Sequence, residues 1–140
     1  MCTRALSFLP FIILIFAILS FAACEEENCT PKEEESSLTD IEGNVYDTVA
    51  IGDQVWMAEN LRTTTYNDGT PIELKSNNDD WSSFTGGAYC WYNNDGEQHR
   101  ETYGALYNYY AVESGRLCPD GWHVPSDAEW KELEKHLGMV

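Results

Sequence analysis

The stretch Gly-Trp-His-Val-Pro-Ser-Asp-Ala-Glu-Trp, residues 121–130, carries the sharpest structural signal in the chain. Pro125 cannot donate a backbone hydrogen bond, and it favours an extended conformation for the residue before it. Ser126 and Glu129 have the spacing of a capping box, in which each side chain accepts a hydrogen bond from the other residue's backbone N–H. The spacing therefore predicts an extended segment that leads directly into a helix over residues 126–137.

An apolar stripe runs along this predicted helix. Trp130, Leu133 and Leu137 follow the spacing i, i+3 and i+7, which places them on one face. Gly138 follows them as a natural helix stop. Because only residues 139 and 140 come after it, we expect the stripe to pack against elements that precede it in the chain.

The composition indicates one acidic domain. The chain has 140 residues, with 8 basic and 24 acidic side chains, so its formal net charge is −16. A chain of this length holds one domain at most. Nucleic acids and anionic lipid surfaces repel a protein of this charge, so neither is expected as a ligand of the folded part.

The N-terminal segment predicts export from the cell. Arg4 is the single charged residue before position 25, an unbroken apolar run covers residues 11–19, and two alanines precede Cys24. These features are typical of a secretory signal peptide, here residues 1–23. The residues before Cys24 also resemble a bacterial lipobox, which implies acylation of Cys24 with fatty acids such as palmitate. Ordinary signal cleavage and an uncleaved membrane anchor are the alternatives.

Residues 24–37 are expected to form an acidic, flexible tether, since they are rich in charge and lack apolar periodicity. Acidic residues directly after a lipidated cysteine resemble the surface-export signals of Bacteroidetes-type lipoproteins. That resemblance implies a protein anchored in the outer membrane that faces the cell exterior. Residues 38–140 are then left to form the folded domain.

The folded region is predicted to be α+β. Residues 45–51 alternate in the manner of a strand, Gly52-Asp53 is a hairpin turn, and residues 55–57 begin the return strand. We further predict a surface loop over 76–87, a short strand over 88–92, a loop over 93–101 and a helix over 103–112. Regular strand–helix alternation of a parallel sheet is missing, which favours the α+β class.

Several long stretches resemble one known family. Residues 40–46, 51–64, 66–72, 90–95, 103–112 and 117–130 are similar to the Fibrobacter succinogenes major paralogous domain. The resemblance implies a bacterial secreted or surface lipoprotein without an assigned activity. Members continue past the capped helix into a further half, so residues 38–140 are expected to be the N-terminal part of the domain in a chain truncated at its C-terminus.

The segment Val-Pro-Ser-Asp-Ala-Glu-Trp, residues 124–130, is also similar to a segment of formylglycine-generating enzymes. This resemblance implies an incomplete C-type-lectin-like domain with an N-terminal β-hairpin and two helices. Those enzymes use cysteines late in their chain, in the part that is expected to be missing here. An oxidase of that kind is therefore the least favoured function.

Cys90 and Cys118 are the cysteines of the predicted folded region. They could pair with each other, and such a bridge would stabilise the fold by roughly 3 to 4 kcal/mol. The family resemblance instead implies that Cys118 pairs with a later cysteine. We therefore expect both Cys90 and Cys118 to be unpaired in this chain.

No catalytic, metal or cofactor site is predicted. Cys118 and His123 are five residues apart, but the sequence places no third group to orient a base. His99, His123 and His136 lack the spacing of a zinc site. The oxygen-rich stretches 77–80 and 93–96 would suit calcium chemically, but turn formation explains them equally well.

The middle of the chain is rich in aromatic residues, and we select Trp81, Trp91 and Tyr92 as candidate ligand-contacting side chains. Exposed aromatic rings would stack on sugars, whereas buried rings would fill the core. The favoured function is a non-enzymatic, lipid-anchored surface protein that binds a glycan or a protein. The alternative is a structural envelope component without a ligand.

Overall fold

The computed structural model describes residues 1–6 and 37–139, which form a mixed α+β fold. One sheet has four antiparallel strands in the order β1-β4-β3-β2. A second sheet has three strands in the order β5-β6-β7, in which β5 is parallel and β7 antiparallel to β6. The strands are β1 (Thr3–Ala5), β2 (Ser37–Thr39), β3 (Val45–Ile51), β4 (Gln54–Met57), β5 (Glu73–Leu74), β6 (Ala88–Trp91) and β7 (Ala105–Tyr107). The helices are α1 (Asn78–Ser83), α2 (Gly96–Tyr103), α3 (Tyr109–Glu113) and α4 (Asp127–His136), with a 3₁₀ turn at Tyr92–Asn94.

The predicted hairpin is confirmed as β3 and β4, with Ile51 opposite Gln54. Gly52 has a φ of +60°, the left-handed conformation that a tight hairpin turn requires. Tyr46 on β3 is fully buried, while Val45 and Val49 on the other face are about half exposed. The alternation was therefore predicted correctly, and the buried face is the one that carries Tyr46.

The N-terminal residues form a strand of the first sheet. β1 pairs antiparallel with β4, Cys2 is fully buried, and its sulfur forms a disulfide with Cys118. The expectation that Cys118 is unpaired is therefore wrong, whereas Cys90 is a free cysteine as expected. The error arose because residues 1–6 were assigned to a signal peptide and left out of the fold. Residues 7–36, including Cys24 and most of the predicted tether, lie outside the described part.

The structure contains more helix than the two helices predicted. Part of the predicted loop 76–87 is α1, because Asn77 caps a helix and accepts a hydrogen bond from the Asp80 N–H at 2.8 Å. Most of the predicted loop 93–101 lies in the 3₁₀ turn and α2, whose first turn is capped by Asp95. In both stretches the polar residues that favour turns serve as helix caps.

The predicted helix over 103–112 is divided into a strand and a short helix. Gly104 has a φ of +65°, and a Cβ atom there would lie 2.6 Å from the Leu61 carbonyl oxygen, so the backbone is tightly packed at this point. Asn108 then caps α3, and its Oδ1 atom accepts from the backbone N–H groups of Ala88 and Ala111 at 3.0 Å each. The residues between them pair with β6 instead of forming helix.

Helix α4 begins as predicted. Ser126 is the N-cap, both hydrogen bonds of the capping box with Glu129 are present, and Gly138 has a φ of +72°. Leu133 is buried, and the Trp130 ring lies 4.9 Å from the Trp56 ring on β4. Trp130 therefore packs on the hairpin while it stays 40% exposed, whereas Leu137, the last residue of the predicted stripe, is 55% exposed.

The core draws side chains from both sheets, from α3 and from the connecting segments. It contains Cys2, Tyr46, Val55, Met57, Leu61, Tyr66, Ile72, Tyr89, Ala111, Leu117, Cys118 and Trp122. Within the described residues no helix is both long and apolar enough to cross a membrane.

Glu42 connects the turn before β3 to the segment that follows β4. Its carboxylate accepts hydrogen bonds from the Thr64 N–H at 3.1 Å and from the hydroxyls of Thr64 and Thr65 at 2.5 and 2.6 Å. Burial acts to raise the pKa of Glu42, but these hydrogen bonds outweigh it, so the pKa is lowered. The ionised carboxylate is therefore the form that stabilises the fold.

Glu42→Gln should destabilise the protein at pH 7 by about 1 to 3 kcal/mol, because hydrogen bonds to a charged acceptor are lost. Since the folded-state pKa is depressed, the contribution of Glu42 is present above the ordinary glutamate pKa and is lost as the pH falls through the folded value. Denaturant unfolding from pH 7 to pH 3 should therefore show a smaller loss of stability in the variant. Glu97→Gln, at an exposed residue without a hydrogen bond in the described part, should match the unsubstituted protein.

Candidate functional site

All three candidate aromatic residues line one cleft. The cavity has a volume of about 250 Å³ and lies between α1 and the end of β6. Trp81 comes from α1, Trp91 is the last residue of β6, and Tyr92 begins the 3₁₀ turn. The lining residues are Lys75, Ser76, Asn77, Asn78, Trp81, Cys90, Trp91, Tyr92, Asn93, Asn94 and Leu106.

The second sheet supplies the apolar side of the cleft. Cys90 on β6 is paired in register with Leu106 on β7, and both residues line the cavity. Leu106 is 48% exposed, so this part of the sheet remains open. An apolar face next to aromatic rings gives a ligand a surface for packing as well as for hydrogen bonding.

Asparagine amides supply the polar groups. Asn93 and Asn94 have φ values of +52° and +57°, a left-handed conformation that asparagine tolerates better than most residues. Within the described residues, the side chains of Asn78, Asn93 and Asn94 form no hydrogen bond with the protein. Each amide can therefore both donate to and accept from a ligand.

The Trp91 indole separates this cleft from a second cavity of about 450 Å³. The second cavity is lined by Trp91, Gly96, Glu97, Arg100 and Glu101. Tyr89 contacts the Trp91 ring edge-on at 5.3 Å, and the Arg100 guanidinium lies 5.8 Å from its centroid. Tyr89 and Arg100 thus hold the Trp91 ring in place, and the ring borders both cavities.

Comparison with known families identifies the domain. The model of the Fibrobacter succinogenes major domain matches residues 49–140, which include every residue of the cleft. The chain belongs to the Fibrobacter succinogenes major domain family. Comparison with curated proteins and with solved structures found no match.

The sequence identified the aromatic residues of this family member's cleft, but it missed the amides as possible ligand contacts. From the sequence, turn formation and calcium binding both account for Asn77-Asn78 and Asn93-Asn94. In the structure the two asparagine doublets face one cavity. The signal available in the sequence was the repeated asparagine doublet, since each doublet lies within a few residues of a selected tryptophan or tyrosine.

In this family member, the cysteine and the histidine that could form a nucleophile and base are each engaged in another contact. Cys118 is held in the disulfide with Cys2, so it cannot act as a nucleophile beside His123. His123 contacts Glu129 instead, with 2.6 Å between Nε2 and Oε1. The Cys90 thiol lines the cleft, and burial raises its pKa, which keeps it protonated at neutral pH.

The oxygen-rich stretches have structural roles. Asn77 and Asp95 accept hydrogen bonds as helix caps, and Asn77 also donates to Asp80 at 2.6 Å. Among residues 1–6 and 37–139 there is no group of three or more histidine, cysteine, aspartate or glutamate side chains placed to hold a metal ion.

Gly96→Ala should displace the Trp91 indole, because a Cβ atom at residue 96 would lie 2.7 Å from Trp91 Nε1. The expected result is a shift of the Trp91 indole N–H resonance in a ¹H–¹⁵N NMR spectrum. Glu97→Ala changes the next residue of α2, which already carries a Cβ atom, and should leave that resonance in place. An unchanged Trp91 resonance in the Gly96 variant would show that the ring is not held as described.

Proposed function

We propose that the chain is a non-enzymatic, lipid-anchored protein of the bacterial outer membrane whose cleft binds a glycan. The observation that supports this most directly is the convergence of Trp81, Trp91 and Tyr92 with unpartnered asparagine amides in one open cavity. Sugar rings have apolar faces that pack on aromatic rings, and their hydroxyls exchange hydrogen bonds with amides. Both kinds of contact are available in the same cleft.

The charge of the cleft favours the same class of ligand. The chain has a net charge of −16, yet the residues that line the cleft include Lys75 and no carboxylate. The Lys75 ammonium is paired with Glu73 at 2.5 Å and lies 4.2 Å from the Phe84 ring, so its charge is largely balanced. An uncharged ligand that is rich in hydroxyls fits a cleft of this kind.

We also propose that the fold is related to the C-type-lectin-like fold of formylglycine-generating enzymes. The mixed α+β architecture, the N-terminal hairpin and the capped helix α4 support this relationship. The oxidase activity of those enzymes is not part of the proposal. The disulfide at Cys118 and the protonated Cys90 thiol offer no reactive thiolate in the described part of the chain.

Glycan binding is tested by applying the purified full chain, in mild detergent, to a glycan array and then titrating the best ligand by calorimetry. Trp81→Ala and Tyr92→Ala should each weaken binding about tenfold or more, since losing about 1.4 kcal/mol of contact energy corresponds to one factor of ten in Kd. Tyr109→Ala removes a ring that is 67% exposed and lies outside the cleft, so it should bind normally.

Absence of binding to every glycan on the array would favour the alternative of a structural envelope component. Binding that Trp81→Ala and Tyr92→Ala leave unchanged would place the glycan elsewhere on the protein. Because Tyr92 is 49% exposed, its removal should not unfold the domain, and a thermal melt of each variant verifies this.

The lipid anchor is supported by the sequence before Cys24, and it is tested separately. Cys24→Ala should abolish labelling with a clickable fatty-acid analogue in growing bacteria and release the protein from the membrane fraction. Cys29→Ala, five residues later, should keep both the label and the membrane location. Retention of the Cys24 variant in membranes would favour an uncleaved anchor.

A further inference from the structure

The second cavity, on the other side of the Trp91 indole, is larger than the cleft. Its volume is about 450 Å³, against about 250 Å³ for the cleft, and both are open to solvent. Ligand pockets usually have about 300 to 1,000 Å³, so the cleft by itself is smaller than most of them. The cleft and the second cavity together fall within that range. A ligand confined to the cleft would therefore leave the larger space beside it empty.

Helix α2 forms one wall of the second cavity. Glu97, Arg100 and Glu101 have the spacing i, i+3 and i+4, so they share one face of the helix. Gly96 precedes them, and a Cβ atom there would lie 2.7 Å from Trp91 Nε1, so the indole packs closely against the helix. The cavity is therefore bordered by an aromatic ring and by charged side chains.

Two of the three charged groups in this wall are engaged by the protein. The Arg100 guanidinium donates to Asn44 at 3.1 Å and lies 3.9 Å from the Glu42 carboxylate. The Glu101 carboxylate lies 3.4 Å from the Arg62 guanidinium and 3.9 Å from that of Arg100. These contacts hold both side chains and balance their charges.

The third charged group, the Glu97 carboxylate, is available to a ligand. Glu97 lines the cavity, and no hydrogen bond or ion pair engages it within the described part of the chain. An ionised carboxylate only accepts hydrogen bonds, and it has two oxygens that can accept from neighbouring hydroxyls of one sugar ring. Hydrogen bonds to a charged acceptor are stronger than those between neutral groups. The second cavity therefore offers a sugar a strong acceptor beside an aromatic ring.

We propose that the ligand is a neutral oligosaccharide of at least two units, with one sugar in the cleft and the adjacent sugar in the second cavity. This inference rests on the proposed function, because it requires that the cleft binds a glycan. The first unit packs on the aromatic rings of the cleft, and the second donates to Glu97 on the other side of Trp91. Binding of the first unit places the second beside its own subsite, so the two contacts reinforce each other.

The charges of the second cavity favour a neutral sugar. Two carboxylates and one guanidinium line it, which gives a formal charge of −1 in a chain that carries −16. A uronic acid or a sulfated sugar would bring negative charge close to Glu97 and Glu101. Arg100 does not offset this repulsion, because it is already engaged by Asn44 and Glu42.

The dependence of affinity on chain length tests this proposal. The purified full chain, in mild detergent, is applied to an array of neutral glucose, xylose, mannose and N-acetylglucosamine chains, each with one, two and four units. Galacturonic acid chains of the same lengths serve as the acidic comparison. The best series is then titrated by calorimetry. We expect a neutral disaccharide to bind at least about tenfold more tightly than its monosaccharide, and the acidic chains to bind more weakly.

A variant pair on α2 tests the second subsite. Glu97→Ala should weaken the disaccharide about tenfold, to the affinity of the monosaccharide, because the second unit loses its charged acceptor. Gln98→Ala changes the next residue, which is exposed and lines neither cavity, so it should bind the disaccharide normally. A thermal melt verifies the fold of both variants. Without any variant, the disaccharide but not the monosaccharide should shift the Arg100 Nε–H resonance in a ¹H–¹⁵N spectrum.

The outcomes separate this inference from the proposed function. Equal affinity for the two lengths, a gain that first appears at four units, or tighter binding of galacturonic acid would overturn the inference. A folded Glu97 variant with full disaccharide affinity would overturn it as well. The proposed function survives each of these results when Trp81→Ala still weakens binding. Absence of binding to every chain on the array would overturn both.

Discussion

One buried carboxylate, that of Asp40, begins a hydrogen-bonded connection between the first sheet and the residues beside the cleft. Its Oδ2 atom accepts hydrogen bonds from the Tyr46 hydroxyl at 2.7 Å and from the Asn44 amide at 2.8 Å. The oxygen of the Asn44 amide in turn accepts from Arg100 at 3.1 Å, and Arg100 lies beside the Trp91 ring. A continuous polar path therefore joins the core of the first sheet to helix α2 and the wall of the cleft. Because a buried carboxylate is costly unless its oxygens are satisfied, the turn before β3 has little freedom to move.

The elements that the sequence predicted well are those specified by local chemistry. Ser126 and Glu129 satisfy each other's backbone groups within one turn, so the start of α4 needs no tertiary information. The β3–β4 hairpin is equally local. The predicted helix over 103–112 was divided because Gly104 must pack against a distant carbonyl and Asn108 caps the following turn against β6. Those contacts come from residues far away in the chain, and helical spacing alone does not contain them.

The sequence predicted which aromatic residues line the candidate cleft, but it did not predict how the backbone places them there. Aromatic residue type does not distinguish Tyr89, which lies within β6 and is buried in the core, from Tyr92, which directly follows β6 and is about half exposed. The difference arises where the strand ends and the backbone turns through the left-handed conformations of Asn93 and Asn94. That turn directs the chain away from the sheet and leaves Tyr92 at the surface. Asparagine is thus both the residue that permits the turn and the residue that supplies the polar lining.

The N-terminal residues have two roles that conflict under the proposed processing at Cys24. Cys2 and the β1 residue Thr3 are fully buried, and Thr3 is hydrogen-bonded to His123 as well as being paired with β4, so withdrawing them uncovers β4. As the start of the proposed export signal, the same residues would leave the domain before cleavage. Closure of the domain around them and the proposed processing therefore compete for one segment. The buried Val55 carbonyl accepts from the Thr3 hydroxyl and the Cys118 sulfur is bonded to Cys2, so the proposed processing would remove a partner from each of these two groups.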